Sequence, residues 1–298
     1  MNTTSVMAMA AAIVEAHREQ LGLAPSDAST PACGHDDPVY RAAKQASREL
    51  GFIEADAECI AAAWQSRTQR TGTFDATGWP DEPRDFGLAP HPRADGFAPC
   101  PVALGLYAVL PDAGWVGRMA RAGVPTVQLR FKSDDEDAVQ SEVEAAIHAV
   151  RGTGARLFIN DHWQAAIHAG AYGVHLGQED IDLADLDAIR GAGLRLGLST
   201  HGYAEMLRAD RISPSYIAMG AVYATTLKQM ATVPQGPGRL EAYARLMRHH
   251  SLVAIGGIDA GRLPEVLKSG VGSVAVVRAL VTAEQPEVTA AYWISQLA

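Results

Sequence analysis

Three polar side chains stand on alternate positions of one short apolar run, Val127-Gln-Leu-Arg-Phe-Lys132, bounded by Pro125 and by an acidic cluster. Alternate residues of a strand share a face, so Gln128, Arg130 and Lys132 would project together. A face carrying an amide, a guanidinium and an ammonium needs anionic partners if it is buried, because an unpaired buried charge is costly. The run reads as an anion site, the plainer alternative being a polar edge of an antiparallel sheet.

Further groups of the same character follow along the chain. Asp161 and Asp180, with Asn160 beside the first, form a hard-oxygen set that suits Mg2+, an ion that keeps several waters and takes one or two protein carboxylates. Either aspartate could instead cap a helix, Asp161 before Trp163 and Asp180 before Leu183. Arg130, Lys132 and Lys228 would give charge-assisted contacts to a diphosphate whose remaining charge the metal neutralises, which suits a leaving group. Gly256-Gly257 ends a strand just before Asp259 and a helix, where backbone N–H groups can face an anion at close approach. Gln235-Gly-Pro-Gly238 is a second flexible turn that could close over it. His148, His168, His249 and His250 have no matched partners and read as solvated or locally bonded. His175 and His201 fall near strand ends, without an assigned acid or base role.

These groups must be positioned by a regular scaffold. From Leu104 onward, short apolar runs recur at Leu104–Leu110, Thr126–Phe131, Arg156–Asn160, Tyr172–Leu176, Leu194–Ser199, Tyr216–Gly220, Leu252–Ile255 and Ser273–Val277. Between them, Asp135–Val150, Trp163–Ala169, Leu183–Ala192 and Ala260–Ser269 carry apolar residues at helical spacing. Eight alternations of strand and helix predict an α/β fold, a (β/α)8 TIM barrel, rather than an open doubly wound sheet. The chemistry of such barrels sits at the carboxyl ends of the strands, which is where Gln128, Arg130, Lys132, Asn160, Asp161, Asp180, Lys228 and Gly256-Gly257 fall.

The amino-terminal part differs. Helical patterns over Met7–Gln20 and Pro38–Arg67 flank the loop-like Gly22–Asp37, and Thr71–Pro101 is rich in Pro, Gly and Asp, as suits extended chain. The expected organisation is a helical appendage over residues 1–70, a linker over 71–101 and a catalytic barrel over 102–298. The chain has 298 residues, 48% of them hydrophobic, enough to bury a sizeable core. Its formal net charge of -9 disfavours nonspecific nucleic-acid binding. Met1 to Val14 is mildly apolar, but Glu15, His17, Arg18 and Glu19 follow at once, so neither secretion nor membrane insertion is expected. Cys33, Cys59 and Cys100 are too dispersed for a disulfide framework or a zinc site, and a reducing cytoplasm is the default expectation.

From about Leu104 to the carboxyl terminus the chain resembles the thiamine-phosphate synthase family. The motifs that carry the resemblance are Gln128-Leu-Arg-Phe-Lys132, Phe158-Ile-Asn-Asp161, Gly173-Val-His-Leu-Gly-Gln-Glu-Asp180, Gly197-Leu-Ser199, Thr225 to Lys228, Ile255-Gly-Gly257 and Ser273 to Arg278. The resemblance implies a (β/α)8 barrel that joins a hydroxymethylpyrimidine diphosphate to a thiazole phosphate, releasing pyrophosphate with magnesium. It implies that Arg130, Lys132, Asn160 and Lys228 hold the diphosphate and that Asp161 and Asp180 hold the metal. Gln128 and Ser199 would face the pyrimidine, and Thr225, Thr226, Gly256, Gly257, Val277 and Arg278 would take the thiazole phosphate. The implied chemistry is a dissociative displacement at the pyrimidine methylene: pyrophosphate leaves, the aminopyrimidine ring stabilises the cation, and the thiazole nitrogen attacks. No covalent nucleophile is required.

Three positions depart from the family pattern. Leu227 stands where many relatives have a second threonine, with Thr226 as a substitute; Ala224 stands for a proline, and Arg278 for a serine. The stretches Ala42–Leu50 and Ala55–Trp64 are similar to the carboxyl-terminal helices of hydroxymethylpyrimidine phosphate kinase, but no nucleotide site accompanies them, so an inactive remnant packed on the barrel is expected. Two rivals stand beside it: a thiazole tautomerase of the same fold, with His201 as its proton-transfer group, and a noncatalytic sensor of thiamine precursors. The joint presence of the cations and carboxylates favours the synthase. Small-molecule substrates are the expected partners, with neither nucleic acid nor membrane, and a homo-oligomer is left open.

Overall fold

The computed structural model describes residues 3–24, 34–225 and 233–297. Three helices open the chain: α1 (Thr3–Leu21), α2 (Pro38–Glu49) and α3 (Glu54–Thr71). Asp37 starts α2 by accepting the Val39 and Tyr40 N–H groups, with Pro38 in the first turn. The helical pattern predicted without a break over Pro38–Arg67 is divided at Gly51. That residue takes φ 81°, and a Cβ there would meet the Leu23 and Ala24 carbonyl oxygens at 2.9 Å.

The barrel follows as β1 (Gly105–Leu110), α4 (Ala113–Arg121), β2 (Thr126–Leu129), α5 (Glu136–Val150), β3 (Arg156–Asn160), α6 (Trp163–Ala169), β4 (Gly173–Leu176) and α7 (Leu186–Gly191). It continues as β5 (Arg195–Thr200), α8 (Tyr203–Ile212), β6 (Tyr216–Met219), α9 (Gly236–Leu246), β7 (Leu252–Ile255), α10 (Leu263–Leu267), β8 (Ser273–Val276), α11 (Arg278–Val281) and α12 (Pro286–Gln296). The eight strands are parallel and close on themselves, β8 pairing with β1 from Gly105 opposite Ser273. The expected (β/α)8 barrel is therefore the fold.

Alternation along each strand separates two cores. Leu106, Ala108, Val127, Leu129, Leu157, Ile159, Leu196 and Leu198 point outward and pack against the surrounding helices. Tyr107, Val109, Phe158, Tyr216, Ala218, Val253 and Ala275 fill the lumen. Glycines make room for its aromatic rings: a Cβ on Gly197 would lie 2.1 Å from the Tyr216 ring, and one on Gly173 would lie 2.5 Å from Phe158.

The chain leaves the sheet earlier than predicted at β2, which ends at Leu129 rather than Phe131. Arg130 makes the last rung, its N–H donating to Leu110 O at 2.8 Å, and both Arg130 and Lys132 are exposed. Their charges thus stand at the barrel mouth, where hydration is retained, instead of on a buried strand face.

Residues 72–101 contain one 3-10 turn, Pro83–Phe86, and are otherwise a series of bends, turns and irregular chain. They are nonetheless packed, because Trp79, Phe86 and Phe97 are buried. Trp79 Nε1–H donates to Tyr203 OH at 2.8 Å, and Phe86 stacks on the Tyr203 ring with centroids 5.2 Å apart. Composition rich in Pro and Gly explains the lack of regular structure, and the aromatic side chains anchor it to α8.

The three amino-terminal helices are joined to the barrel by buried polar groups. Helix α8 begins at Gly202, which has no side chain to cap it, and Asp56 of α3 supplies the cap by accepting the Ala204 N–H at 2.9 Å. A Cβ on Gly202 would meet the Asp56 carboxylate at 2.1 Å. Arg239 of α9 is 2% exposed and donates to Leu21 O at 2.9 Å and to Leu50 O at 2.7 Å, with its guanidinium 3.6 Å from the Phe52 ring centroid. No described helix is long and apolar enough to cross a membrane.

Candidate active site

A cavity of about 800 Å³ opens at the carboxyl ends of the strands. Gln128, Arg130, Lys132, Asn160, Asp161, Asp180, Ser199, Thr225, Gly256, Gly257, Val277 and Arg278 all line it. Thr226, Leu227 and Lys228 lie outside the described residues.

The floor of the cavity is a continuous hydrogen-bonded row of side chains. Gln128 Nε2 donates to Asn160 Oδ1 at 2.9 Å, and Gln128 Oε1 accepts from Tyr107 OH at 2.8 Å. Tyr107 OH lies 2.7 Å from Tyr216 OH, which lies 2.6 Å from His175 Nδ1, and His175 Nε2 lies 2.8 Å from Ser199 Oγ. Each hydroxyl has one proton to give. Tyr107 gives its proton to Gln128, so Tyr216 gives its own to Tyr107. His175 Nδ1 must then donate to Tyr216, and Nε2 accepts from Ser199. That order leaves the lone pairs of Ser199 Oγ as acceptors for an amino group in the cavity. Burial pushes the Tyr107 and Tyr216 phenols far above their ordinary range, so both stay neutral.

At the rim, Lys132 Nζ donates to Asp161 Oδ2 at 2.5 Å. Asp161 has φ 63°, a left-handed conformation that asparagine and aspartate tolerate better than other side chains. Neither aspartate serves as a helix cap. The residue preceding α6 is His162, which makes no side-chain cap, and α7 is capped by Asp185. Asp180 instead folds back on its own turn, Oδ2 accepting the Gly177 N–H at 3.0 Å. Both carboxylates therefore remain part of the cavity wall, beside Asn160.

The opposite wall is built from close-packed backbone. Gly256 and Gly257 have φ 105° and 62°. A Cβ on Gly256 would fall 2.5 Å from Ala221 Cβ, and one on Gly257 would fall 2.4 Å from Ala224 O. Only glycine fits either position, and the loop after β6 is seated against them. Val277 precedes the first turn of α11, and Arg278 is exposed toward the cavity. His201, the proton-transfer candidate of the rival reading, has Nδ1 2.7 Å from Glu205 Oε2.

Sequence reasoning gave no role to Tyr107 or Tyr216 and none to His175 beyond lining the barrel. A signal was present: a tyrosine inside a parallel strand of a closed barrel must find a partner for its hydroxyl.

A family model described as thiamine monophosphate synthase matches residues 107–280. Thiamine-phosphate synthase of Neisseria meningitidis serogroup B is 54% identical over 191 residues, covering 64% of this chain and 93% of that protein. The enzyme of the same name from Enterobacter sp. is 51% identical over 195 residues, covering 65% of this chain and 92% of that protein. Among solved structures, thiamine phosphate pyrophosphorylase from Pyrococcus furiosus superposes with a TM-score of 0.57 at 25% identity, covering 65% of this chain and 95% of that one. The matched region begins in β1 and includes every motif that lines the cavity, and the chain belongs to the thiamine monophosphate synthase family.

Proposed function

We propose that this chain, a transferase of thiamine biosynthesis, binds a hydroxymethylpyrimidine diphosphate and a thiazole phosphate in the barrel cavity and joins them with release of pyrophosphate. The observation that carries the reading is the bond from Gln128 to Asn160. It couples the pyrimidine side of the floor to the diphosphate side, fixing the distance between ring and leaving group before substrate enters.

In this reading the Gln128 amide and Ser199 Oγ address the polar edge of the pyrimidine, holding its methylene toward the phosphate cluster. Arg130, Lys132 and Lys228 offset the charge that grows on the departing diphosphate, with Asn160 as a neutral donor. Gly256, Gly257, Thr225, Thr226, Val277 and Arg278 seat the thiazole phosphate, and Arg278 provides a guanidinium there. Asp161 and Asp180 would hold Mg2+, a fit supported by hard-oxygen donors that line the cavity without capping a helix. When bound, the ion neutralises charge on the diphosphate oxygens. The buried floor excludes water from the methylene, which favours capture by the thiazole over hydrolysis.

We place the reaction in the cytoplasm. The two described cysteines, Cys59 and Cys100, are free thiols, which supports a reducing compartment. The deciding experiment is pyrophosphate release from purified protein given both substrates and magnesium, with Asp161→Ala and Lys228→Ala as controls. Release that requires both substrates and the metal, yields thiamine phosphate and collapses in both variants supports the synthase. Thiazole phosphate binding without release would transfer the assignment to the tautomerase or the sensor.

A further inference from the structure

Away from the cavity, at the amino-terminal end of the barrel, three side chains from distant parts of the chain converge. His91 comes from the segment before β1, Asp210 from α8, and His250 from the approach to β7. The Nε2 atoms of both histidines lie 2.9 Å from the same carboxylate oxygen, Asp210 Oδ1. The ligand atoms all fall within 4.8 Å of one another. Asp210 and His250 side chains are 3% and 5% exposed, and His91 is 15% exposed. His250, read from sequence as solvated or locally hydrogen-bonded, is bonded to a carboxylate 40 positions away and is 5% exposed.

The donor set is informative. Two imidazole nitrogens and one carboxylate oxygen form a common three-ligand set for zinc, whereas magnesium and calcium favour all-oxygen shells. As arranged, Asp210 Oδ1 accepts an N–H from each imidazole. One divalent ion at that point would be held by the carboxylate and by two imidazole nitrogens whose rings carry their proton on Nδ1, at bonds of about 2.0–2.2 Å. The partial exposure of His91 gives the ion a route in and leaves a position for water.

We propose that His91, Asp210 and His250 form a binding site for a transition-metal ion of the zinc class. The ion ties the segment between α3 and β1 to the base of the barrel, far from the reacting groups, so its role is structural. Metal of this kind binds the folded state and adds its binding free energy to stability.

The test uses the full-length, untagged chain, stripped with chelator and then titrated with Zn2+ by calorimetry and with Co2+ by visible absorption. The expected result is one equivalent per chain, tetrahedral-type Co2+ bands and a rise in Tm. His91→Gln should abolish the bands and the Tm rise while pyrophosphate release at saturating magnesium stays unchanged. His91→Gln is the primary variant because it is the most exposed of the three, and circular dichroism checks its fold. His250→Gln is the second variant. Absence of saturable Zn2+ binding, or Co2+ bands that survive both substitutions, would overturn the proposal.

Discussion

Lys132 Nζ stands 2.5 Å from Asp161 Oδ2, so the carboxylate proposed to hold magnesium is already tied to an ammonium proposed to hold diphosphate. The two side chains are 56% and 28% exposed, a setting in which an ion pair contributes about 0–1 kcal/mol. Asp161 also sits at positive φ. Stability does not account for this arrangement, and poising charge at the cavity rim does.

Asp161→Asn should therefore leave the fold intact and lower the rate of pyrophosphate release by roughly 100- to 1000-fold, the effect of losing one electrostatic contact to developing charge. A magnesium titration of the initial rate, run beside thermal melts of both proteins, checks this. A variant that melts normally and turns over near the wild-type rate would remove Asp161 from the metal site.

Tyr107→Phe interrupts the row from Asn160 to Ser199 at its centre, leaving Gln128 Oε1 and Tyr216 OH each short of a partner. The expected loss is about 1–3 kcal/mol in urea unfolding. Catalytically, kcat/KM for the pyrimidine substrate should fall while KM for the thiazole phosphate stays put. Equal effects on both substrates would mean that the row supports the barrel generally rather than the pyrimidine side.

Gly197→Ala drives a methyl group into the Tyr216 ring and should cost about 1–3 kcal/mol or more. Gly191→Ala, in α7 with nothing within 4 Å of the new Cβ, is the matched control and should be stabilising by roughly 0.4–1 kcal/mol. Paired chemical denaturation curves decide the matter, and similar stabilities for the two variants would contradict the lumen packing.

Asp56 has a carboxyl pushed up to about 6, first by burial. Its folded pKa exceeds the ordinary value of 3.8, so the folded state holds this proton more tightly than the unfolded one. The associated stability is present in full below 3.8 and is lost as pH rises through about 6. Asp56→Asn keeps an acceptor for the Ala204 N–H and should become the more stable protein above pH 6, by about 2 kcal/mol, with the difference fading toward pH 4. Unfolding free energies of both proteins from pH 4 to pH 8 test the sign; a wild type that gains on the variant as pH rises would refute it.

A chain beginning at Pro99 would lose the Asp56 cap of α8 and two carbonyl partners of the buried Arg239. The expected outcome is aggregation or a large fall in Tm, with activity persisting in whatever fraction stays soluble. Scattering and melting curves on the truncated protein measure this. A well-behaved truncation with an unchanged Tm would make the amino-terminal helices dispensable.

The barrel was readable because its strands are apolar on both faces, one packing outward as in Leu157 and Ile159, the other filling the lumen as in Phe158. Polar residues interrupting that pattern at strand ends pointed to the cavity wall. What escaped was long-range geometry. Tyr107 and Tyr216 are 109 positions apart, and nothing local to either indicates that closure brings their hydroxyls together. The exposure of Arg130 depends on the chain leaving the sheet after Leu129, and strand ends are fixed by pairing with neighbours more than by composition. His250 could not be matched to His91 and Asp210 because the three come from separate turns of the chain.

The cap that Asp56 provides to α8 crosses 148 positions of sequence, and the Leu21 carbonyl waits for Arg239 across 218. During synthesis the three opening helices emerge long before the barrel helices that bury them. At about 5–20 residues per second, Asp56 precedes its partner by roughly 7–30 s. Through that interval Phe52 lacks the Tyr203 ring and the Arg239 guanidinium it meets in the finished fold. The appendage is thus made before the barrel helices it docks on, and its contact face stays uncovered until α8 and α9 arrive.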